Sequence, residues 1–304
     1  MSVKDIIEKR RTISFEVFPP KSDKTFERLC SEGGTLDQLS ALKPDFITCT
    51  YASGGTNADV NVNVMEAVAK AGRAIPLTHF ACGGCLKDDV RVRLQEYLDK
   101  GIDHILALRG SQPGEDAPEG SFRHATELIS FIRREFGDKF TVAAAGYPEG
   151  HAQSRSLEAD IAYLRQKQDN GADFIMTQFC WDMDQFRFWS DAIRTAGITL
   201  PVIARIYPVT DAASTINMAI SRYGCAIPKS LSEIFSKYWI TPNPYIPADD
   251  QADQKKADFR KAGMDYTFDL IDQYRACDIA GIQIYTVNKP DTAAEICDEM
   301  GLTD

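Results

Sequence analysis

The 304-residue chain is poor in several of the features on which common protein functions depend. Basic residues are outnumbered by acidic ones, 34 to 44, and the net charge of -10 argues against general nucleic-acid binding, which requires a basic surface. No run approaches the ~18 apolar residues that a membrane helix needs. The first eleven residues carry charges throughout and contain no apolar core segment, so they predict no secretory signal. We therefore expect a cytoplasmic protein without a membrane or nucleic-acid partner.

Motifs for metal-dependent and hydrolytic chemistry are also missing. The sequence contains no cluster of three histidines or carboxylates, no nucleophile elbow and no Walker phosphate loop. Its eight cysteines are spread along the chain, mostly within apolar runs, as reduced cytosolic thiols are. Only Cys82 and Cys85 are close, and no second pair stands at ligand spacing. We therefore predict no metal site and no hydrolase.

The chain does have a repeated strand–helix unit. Short runs rich in apolar and β-branched residues begin at positions 13, 46, 76, 104, 141, 174, 201 and 281, and amphipathic helices are predicted between them. Eight such units predict a single (β/α)₈ TIM barrel domain over residues 1–304, with extra helices before the last strand. An open, doubly wound sheet is the structural alternative. The first strand, however, is not followed by a glycine-rich dinucleotide turn.

The first strand carries one acid near its end. In the stretch Thr12-Ile13-Ser14-Phe15-Glu16-Val17-Phe18-Pro19-Pro20, the two prolines end the strand because neither has an N–H to donate. A carboxylate beside Phe15 and Phe18 is costly unless it is paired, neutralised or used in chemistry. The alternative is a surface glutamate on the outward face of an edge strand.

Polar and aromatic residues also follow the other strands. Because chemistry in a barrel lies at the C-terminal ends of the strands, these side chains are expected to meet there. Each alone could be structural, but their convergence predicts a functional site, and their mixture suits a planar polar cofactor. They are Thr50, Tyr51, His79, Arg109, Gly110, Ser111, Ala144, Tyr147, Glu149, His151, Gln178, Trp181, Asp182, Tyr207, Tyr285, Asn288 and Lys289.

Several of these positions form short motifs that recur in one known family. They are Phe15-Glu16-Val17-Phe18-Pro19-Pro20-Lys21, Thr50-Tyr51, His79-Phe80-Ala81-Cys82, Leu106-Ala107-Leu108-Arg109-Gly110, Tyr147-Pro148-Glu149 with His151, Asp160 with Lys167, Gly171-Ala172-Asp173, Thr177-Gln178-Phe179, Tyr207-Pro208-Val209 and Tyr285-Thr286-Val287-Asn288. In this combination, which spans almost the whole chain, they resemble the methylenetetrahydrofolate reductase family of flavin-dependent barrel enzymes. Each motif alone is weak, and the specificity comes from the set.

The resemblance implies FAD-dependent reduction of 5,10-methylenetetrahydrofolate to 5-methyltetrahydrofolate, or the reverse oxidation. FAD would be held noncovalently at the strand ends, with NADH or NADPH as a possible electron donor. Glu16 would be the general acid that protonates a folate nitrogen, so that the bridging ring opens to an iminium. Burial among Phe15, Phe18 and the cofactor would favour the protonated carboxyl that this role needs. Family members form dimers or tetramers, which implies a homo-oligomer.

The resemblance also implies roles for individual residues. Gln178 would contact the pterin edge, with Tyr285 and Lys289 as further substrate contacts. Lys167 and His151 would face the FAD phosphates, Asp160 the sugar, and Tyr147 the isoalloxazine or ribityl portion. For Asp160 and Lys167 the alternative is a solvated helix face. The full set of implied FAD contacts is Thr50, Tyr51, His79, Arg109, Gly110, Ser111, Ala144, Tyr147, His151, Asp160 and Lys167.

The chain departs from the family pattern at three places. Ser111 replaces an aspartate near the flavin pyrimidine, and loss of that negative charge should make the flavin easier to reduce. Ala204-Arg205 replaces Pro-Gly, and Met218 replaces a phenylalanine that stacks on nicotinamide. These two changes count against direct use of NADH or NADPH and suit a partner subunit that relays electrons.

Two other functions remain open at this stage. One is a flavin barrel of the proline dehydrogenase type, which the Phe-Glu-Val-Phe-Pro-Pro opening disfavours. The other is a non-catalytic flavin-binding subunit, which the presence of both Glu16 and Gln178 disfavours.

Overall fold

Parallel β-strands close into a barrel in the computed structural model, which describes residues 1–51, 58–110, 118–221, 224–238 and 250–302. Each strand pairs with its neighbours in sequence, and the last pairs with the first. The eight strands of the described residues are β1 (Thr12–Val17), β2 (Phe46–Cys49), β3 (Ile75–Ala81), β4 (His104–Leu108), β5 (Thr141–Gly146), β6 (Phe174–Thr177), β7 (Val202–Ile206) and β8 (Gly281–Tyr285). The predicted (β/α)₈ barrel is confirmed.

Helices surround the barrel, and the extra helices predicted before the last strand lie between β7 and β8. In the described residues these are α9 (Ala212–Ala219), α10 (Lys229–Tyr238) and α11 (Asp250–Arg275). The others are α1 (Val3–Ile7), α2 (Asp23–Cys30), α3 (Thr35–Ala41), α4 (Ala58–Ala71), α5 (Lys87–Asp99), α6 (Ala125–Phe136), α7 (Leu157–Asp169), α8 (Met183–Thr195) and α12 (Pro290–Met300).

The alternation of side chains along the strands decides which residues reach the site. One apolar cluster contains Phe46, Leu77, Leu106 and Phe174, which lie inside the barrel. The alternate positions of the strands belong to a larger cluster between the sheet and the helices, shown by Phe15 on β1. Because neighbouring residues point to opposite faces, the side chain of Glu16 projects into the barrel.

Helix α1 closes the N-terminal end of the barrel, and the sequence patterns did not predict it. Ser2 caps this helix in a capping box with Asp5. Val3 is fully buried against the interior cluster, and its N–H donates to His104 Nε2 at 3.1 Å. With this end filled, the site lies at the opposite end of the barrel.

The described residues form neither a membrane-spanning helix nor a metal-binding cluster. None of their helices combines the length and apolar character required to cross a bilayer. No group of three or more His, Cys, Asp or Glu side chains in the same residues is arranged to hold a metal ion. All eight cysteines are free thiols.

Candidate active site

A pocket of about 530 Å³ lies at the C-terminal ends of the strands. Its lining includes twelve of the fifteen residues to which the family resemblance assigned a catalytic, substrate or cofactor role. These are Glu16, Thr50, Tyr51, His79, Arg109, Gly110, Tyr147, His151, Asp160, Lys167, Gln178 and Tyr285. The structure therefore brings together residues from both halves of the chain.

Three of these fifteen residues are not among those that line the pocket. Of the other strand-end residues that were expected to meet there, Glu149, Trp181, Asp182, Tyr207 and Asn288 do not line it either. The side chain of Ala144 is fully buried between the sheet and the helices, and its neighbour Ala145 lines the pocket instead, because adjacent strand residues face opposite ways. Lys289 is exposed at the N-cap of α12, where its charge acts on Asp211, and it does not line the pocket. Ser111 lies outside the described residues, so its proposed influence on the flavin stays a prediction.

The floor of the pocket is built around Glu16, which is 0% exposed. Thr50 Oγ1 donates to Glu16 Oε1 at 2.6 Å, and Arg205 Nη2 donates to Glu16 Oε2. The expectation that Phe15 would wall this carboxyl is wrong, because Phe15 lies on the outer face of β1. Glu16 thus occupies a polar cluster and not an apolar one.

Arg205 on β7 is the cation of this cluster. It is 8% exposed, its Nη2 also donates to the Tyr285 hydroxyl, and its guanidinium lies 4.5 Å from the centroid of the Tyr285 ring. Burial lowers the pKa of Arg205, but the charge of Glu16 leads the effects that raise it, and the net shift is upward. Burial raises the pKa of Tyr285, which therefore stays neutral at pH 7.

Sequence reasoning noted Arg205 only as a departure and missed its contact with Glu16. Strand register contains the signal that could have found it. Glu16 on β1 pairs with Tyr285 on β8, and Gln283, two residues earlier, pairs with Arg205 on β7. Barrel closure therefore brings four inward-facing polar side chains together on three adjacent strands.

His79 contributes an unpaired nitrogen to the same floor. It is 3% exposed, and its buried Nε2 has no hydrogen-bond partner among the described residues. Burial lowers the pKa of His79 to about 4, against the opposing charge of Glu16, so the ring is neutral at pH 7. An unsatisfied buried nitrogen is costly, and a ligand that bonds to it would remove that cost.

A second charged group lies elsewhere in the pocket. Lys167 Nζ donates to the Ala145 carbonyl oxygen at 2.8 Å and lies 5.7 Å from the centroid of the Tyr147 ring. Desolvation lowers the pKa of Lys167 to about 8, against the opposing charge of Asp160. Asp160 is buried, accepts a hydrogen bond from Ser154 Oγ at 3.0 Å, and has a pKa raised by burial. The solvated-helix alternative is therefore wrong for Asp160.

Two glycines near the strand ends stand where a Cβ would collide with its surroundings. Gly110 has φ +79°, and a Cβ there would lie 2.8 Å from Ala81 Cβ. At Gly146 a Cβ would lie 2.8 Å from Ile175 Cγ2. The Gly146 carbonyl accepts from the N–H of Gln178 at 2.7 Å, which fixes the backbone of the predicted substrate contact. Both glycines therefore hold positions that a side chain would disturb.

An aromatic pair that sequence reasoning missed completes the lining. The rings of His124 and Tyr163 are stacked, with centroids 6.1 Å apart and planes at 18°. Tyr163 lies three residues after Asp160 on α7, and helical spacing places residues i and i+3 on one face. That spacing was a usable signal.

The sequence of the chain matches a known protein family. The sequence profile of methylenetetrahydrofolate reductase matches residues 2–301. The chain belongs to this family. Curated relatives named as methylenetetrahydrofolate reductases, and therefore as enzymes, occur in bacteria, fungi and plants.

Three of these relatives show how much of each chain is shared. Methylenetetrahydrofolate reductase 1 of Schizosaccharomyces pombe is 28% identical over 96% of this chain and 46% of its own length. Methylenetetrahydrofolate reductase (NADH) 1 of Arabidopsis thaliana is 29% identical over 99% of this chain and 50% of its own length. The 5,10-methylenetetrahydrofolate reductase of Escherichia coli is 28% identical over 95% of this chain and 90% of its own length. The chain thus spans about half the length of the fungal and plant relatives.

Solved structures share the fold at much lower identity. A Clostridium thermocellum protein, described as uncharacterized and as binding two copies of 5-methyl-5,6,7,8-tetrahydrofolic acid, has a TM-score of 0.58 at 12% identity and covers 99% of both chains. Dihydropteroate synthase of Xanthomonas albilineans has a TM-score of 0.52 at 8% identity, over 99% of this chain and 95% of its own. At these identities the likeness shows the fold alone.

Proposed function

We propose that residues 1–304 act as one FAD-dependent catalytic unit that reduces 5,10-methylenetetrahydrofolate to 5-methyltetrahydrofolate, or catalyses the reverse oxidation. The observation that carries the proposal is Glu16, a fully buried carboxyl on the floor of a pocket of about 530 Å³ in a member of this family. A buried acid beside a ligand-sized cavity is suited to exchanging a proton with bound substrate. We place the protein in the cytoplasm, where eight free thiols are stable.

The residues present fit FAD. Arg109 and Lys167 supply positive charge for its phosphates, while Asp160 supplies an acceptor for a sugar hydroxyl. The buried Nε of Arg109 has no partner among the described residues, as expected of a site that a polar ligand completes. Gly110 keeps the pocket wall free of a side chain. When bound, FAD would supply hydride transfer, and the protein would supply binding and orientation.

The substrate contacts are proposed at the Glu16 side of the pocket. The Gln178 amide can both donate to and accept from the edge of a pterin ring. Glu16 would give a proton to a folate nitrogen in the reductive direction and take it back in the oxidative direction. Tyr285 stays neutral, so it would present an uncharged hydroxyl beside Glu16.

The electron donor is proposed to be a partner subunit, with NADH or NADPH as the alternative. Arg205 fills part of the pocket floor with a long, charged side chain that is fixed to Glu16. Met218 lies on α9, immediately after the β7 segment, and offers no aromatic face for a nicotinamide ring. We also propose a homo-oligomer, as the family resemblance implies.

The test is anaerobic mixing of the FAD-loaded protein with methyltetrahydrofolate, NADH and NADPH in turn, with flavin absorbance as the readout. We expect bleaching by methyltetrahydrofolate, and Glu16→Gln should bind FAD but react roughly 10²- to 10⁴-fold more slowly. Glu295→Gln, which alters a half-exposed surface glutamate, is the matched control and should react normally. Absence of bleaching by the folate in the unmodified protein would contradict the function. Bleaching by a nicotinamide would contradict the need for a partner subunit.

A further inference from the structure

We propose that Arg205 is a positioning residue that holds Glu16 as a carboxylate directed into the pocket, ready to accept a proton from bound ligand. The inference rests on the proposed function for the identity of that ligand. It assigns a role to a residue that otherwise marks only a departure from the family pattern.

The first support is geometric. Both oxygens of the Glu16 carboxylate have a donor, Thr50 Oγ1 on Oε1 and Arg205 Nη2 on Oε2. The same Nη2 reaches the Tyr285 hydroxyl, and the guanidinium packs on the Tyr285 ring. Arg205 Nε is buried without a partner among the described residues, so these contacts are what fix the side chain. Arg205 and Glu16 therefore orient each other.

The second support is charge balance. A buried guanidinium with no anion beside it is strongly destabilising, and Glu16 is the acid that Arg205 contacts. The other titratable groups whose charge acts on this pair are Cys49 from β2, His79 from β3, Tyr147 after β5 and Tyr285 from β8. Burial keeps Cys49 and Tyr285 protonated and His79 neutral at pH 7. The arrangement is therefore balanced when Glu16 carries its negative charge.

The chemical consequence differs between the two directions. In the oxidative direction the methyl carbon must lose a hydride, which is the chemistry that bound FAD would supply. As the folate nitrogen then closes the ring on that carbon, its N–H proton would pass to Glu16. A carboxylate can take this proton directly. In the reductive direction Glu16 must first gain a proton from solvent. It would then give this proton to the folate nitrogen as the C–N bond breaks, leaving the carbon open to the hydride transfer that the reduced cofactor would supply. Arg205 thus prepares the site for the oxidative proton transfer.

The experiment follows the ionisation of Glu16 itself in the ligand-free protein. Glutamate labelled with ¹³C at the side-chain carboxyl gives one NMR signal per residue, and Glu16→Gln identifies the signal of interest. We expect Arg205→Leu to raise the pH midpoint of this signal by about 1–3 units, and Arg205→Lys to restore most of the shift. Arg205→Gln serves as a second neutral variant of similar length if the leucine variant does not fold.

The matched control removes an Arg–Glu pair at the surface. Arg260→Leu breaks the contact between Arg260, whose side chain is 45% exposed, and Glu295, whose side chain is 39% exposed. It should leave the pH midpoint of the Glu16 signal unchanged. Equal midpoints in the unmodified protein and both neutral Arg205 variants would overturn the proposal. So would an equal shift caused by Arg260→Leu.

A second readout connects the pair to chemistry. The rate at which methyltetrahydrofolate bleaches the flavin should fall on the acidic side of its pH profile, and Arg205→Leu should move that limb upward by about 1–3 units. Arg205→Lys should return the acidic limb of the pH–rate profile toward its position in the unmodified protein. If Arg205→Leu leaves this limb where it is, the link to catalysis is overturned. If the folate bleaches none of these proteins, the proposed function fails, while the NMR midpoints still decide the role of Arg205.

Discussion

The buried Glu16–Arg205 pair makes a quantitative prediction about stability that needs neither cofactor nor substrate. Glu16 is 0% and Arg205 8% exposed, so removing one partner leaves the other charge in a poorly hydrated environment. Losing one member of a buried pair costs about 3–5 kcal/mol, whereas replacing both with neutral groups is often close to neutral. We therefore expect Glu16→Gln and Arg205→Met each to destabilise the ligand-free protein by that amount at pH 7.

The double variant Glu16→Gln/Arg205→Met is the decisive protein. It should recover most of the loss, giving a coupling energy of about 3 kcal/mol or more. The surface pair Arg260–Glu295, treated in the same way, should give about 0–1 kcal/mol.

The assay is urea unfolding of the FAD-free proteins, followed by circular dichroism and tryptophan fluorescence. Coincident transitions from the two probes show that a single free energy of unfolding describes each variant. Costs that simply add in the double variant would refute the reasoning, because they would show that the two charges do not stabilise each other. Single-variant costs below about 1 kcal/mol would refute the claim that the pair is effectively buried.

Two further predictions concern other parts of the site. Because the pKa of Lys167 is lowered to about 8, its positive charge is lost as the pH rises through that value, so FAD should bind about tenfold more weakly at pH 9 than at pH 7. FAD titrations of Lys167→Arg, whose guanidinium stays charged, should show little loss of affinity between pH 7 and pH 9. An identical loss in both proteins would contradict a role for the Lys167 charge in binding FAD. The Asn288 side chain accepts from Phe18 N–H at 2.8 Å and donates to Phe18 O at 3.0 Å, so Asn288→Ala should cost about 1–3 kcal/mol in urea unfolding. Asn288→Asp keeps the acceptor for the Phe18 N–H but sets a carboxylate oxygen against the Phe18 carbonyl oxygen, so it should not restore the loss. Full stability in the aspartate variant would contradict this account.

Much of the fold could be predicted because its signals are local. Strand β4 begins at the predicted position 104, since a short apolar run there follows Gly101 and precedes Arg109-Gly110. The break between α2 and α3 falls at Gly33-Gly34, a local signal of the same kind, and Gly33 adopts φ +71°. Helix α1 was not predicted, because five residues show no clear period and the helix depends on contacts with the distant His104.

The site was harder to predict where the sequence gives no inside–outside signal. Strand β5 contains Ala143, Ala144 and Ala145 in succession, and identical residues do not show which face of the strand is buried against helices. The prediction of Ala144 as a pocket residue was therefore wrong by one position, since Ala145 lines the pocket. The contact between Glu16 and Arg205 joins positions 189 residues apart and depends on β8 pairing with β1, a closure that no local pattern contains.

The distribution of charge in the pocket gives a further reason to expect a phosphate-bearing cofactor. Among its Asp, Glu, Lys and Arg residues, the pocket lining contains three cations, Arg109, Lys167 and Arg205, and two anions, Glu16 and Asp160. The protein as a whole has a net charge of -10. Because Arg205 is neutralised by Glu16, and Asp160 opposes only one of the two remaining cations, the positive excess falls on the part of the pocket that contains Arg109 and Lys167. An anionic cofactor is thus favoured there, and a substrate ring without net charge is favoured beside the balanced pair.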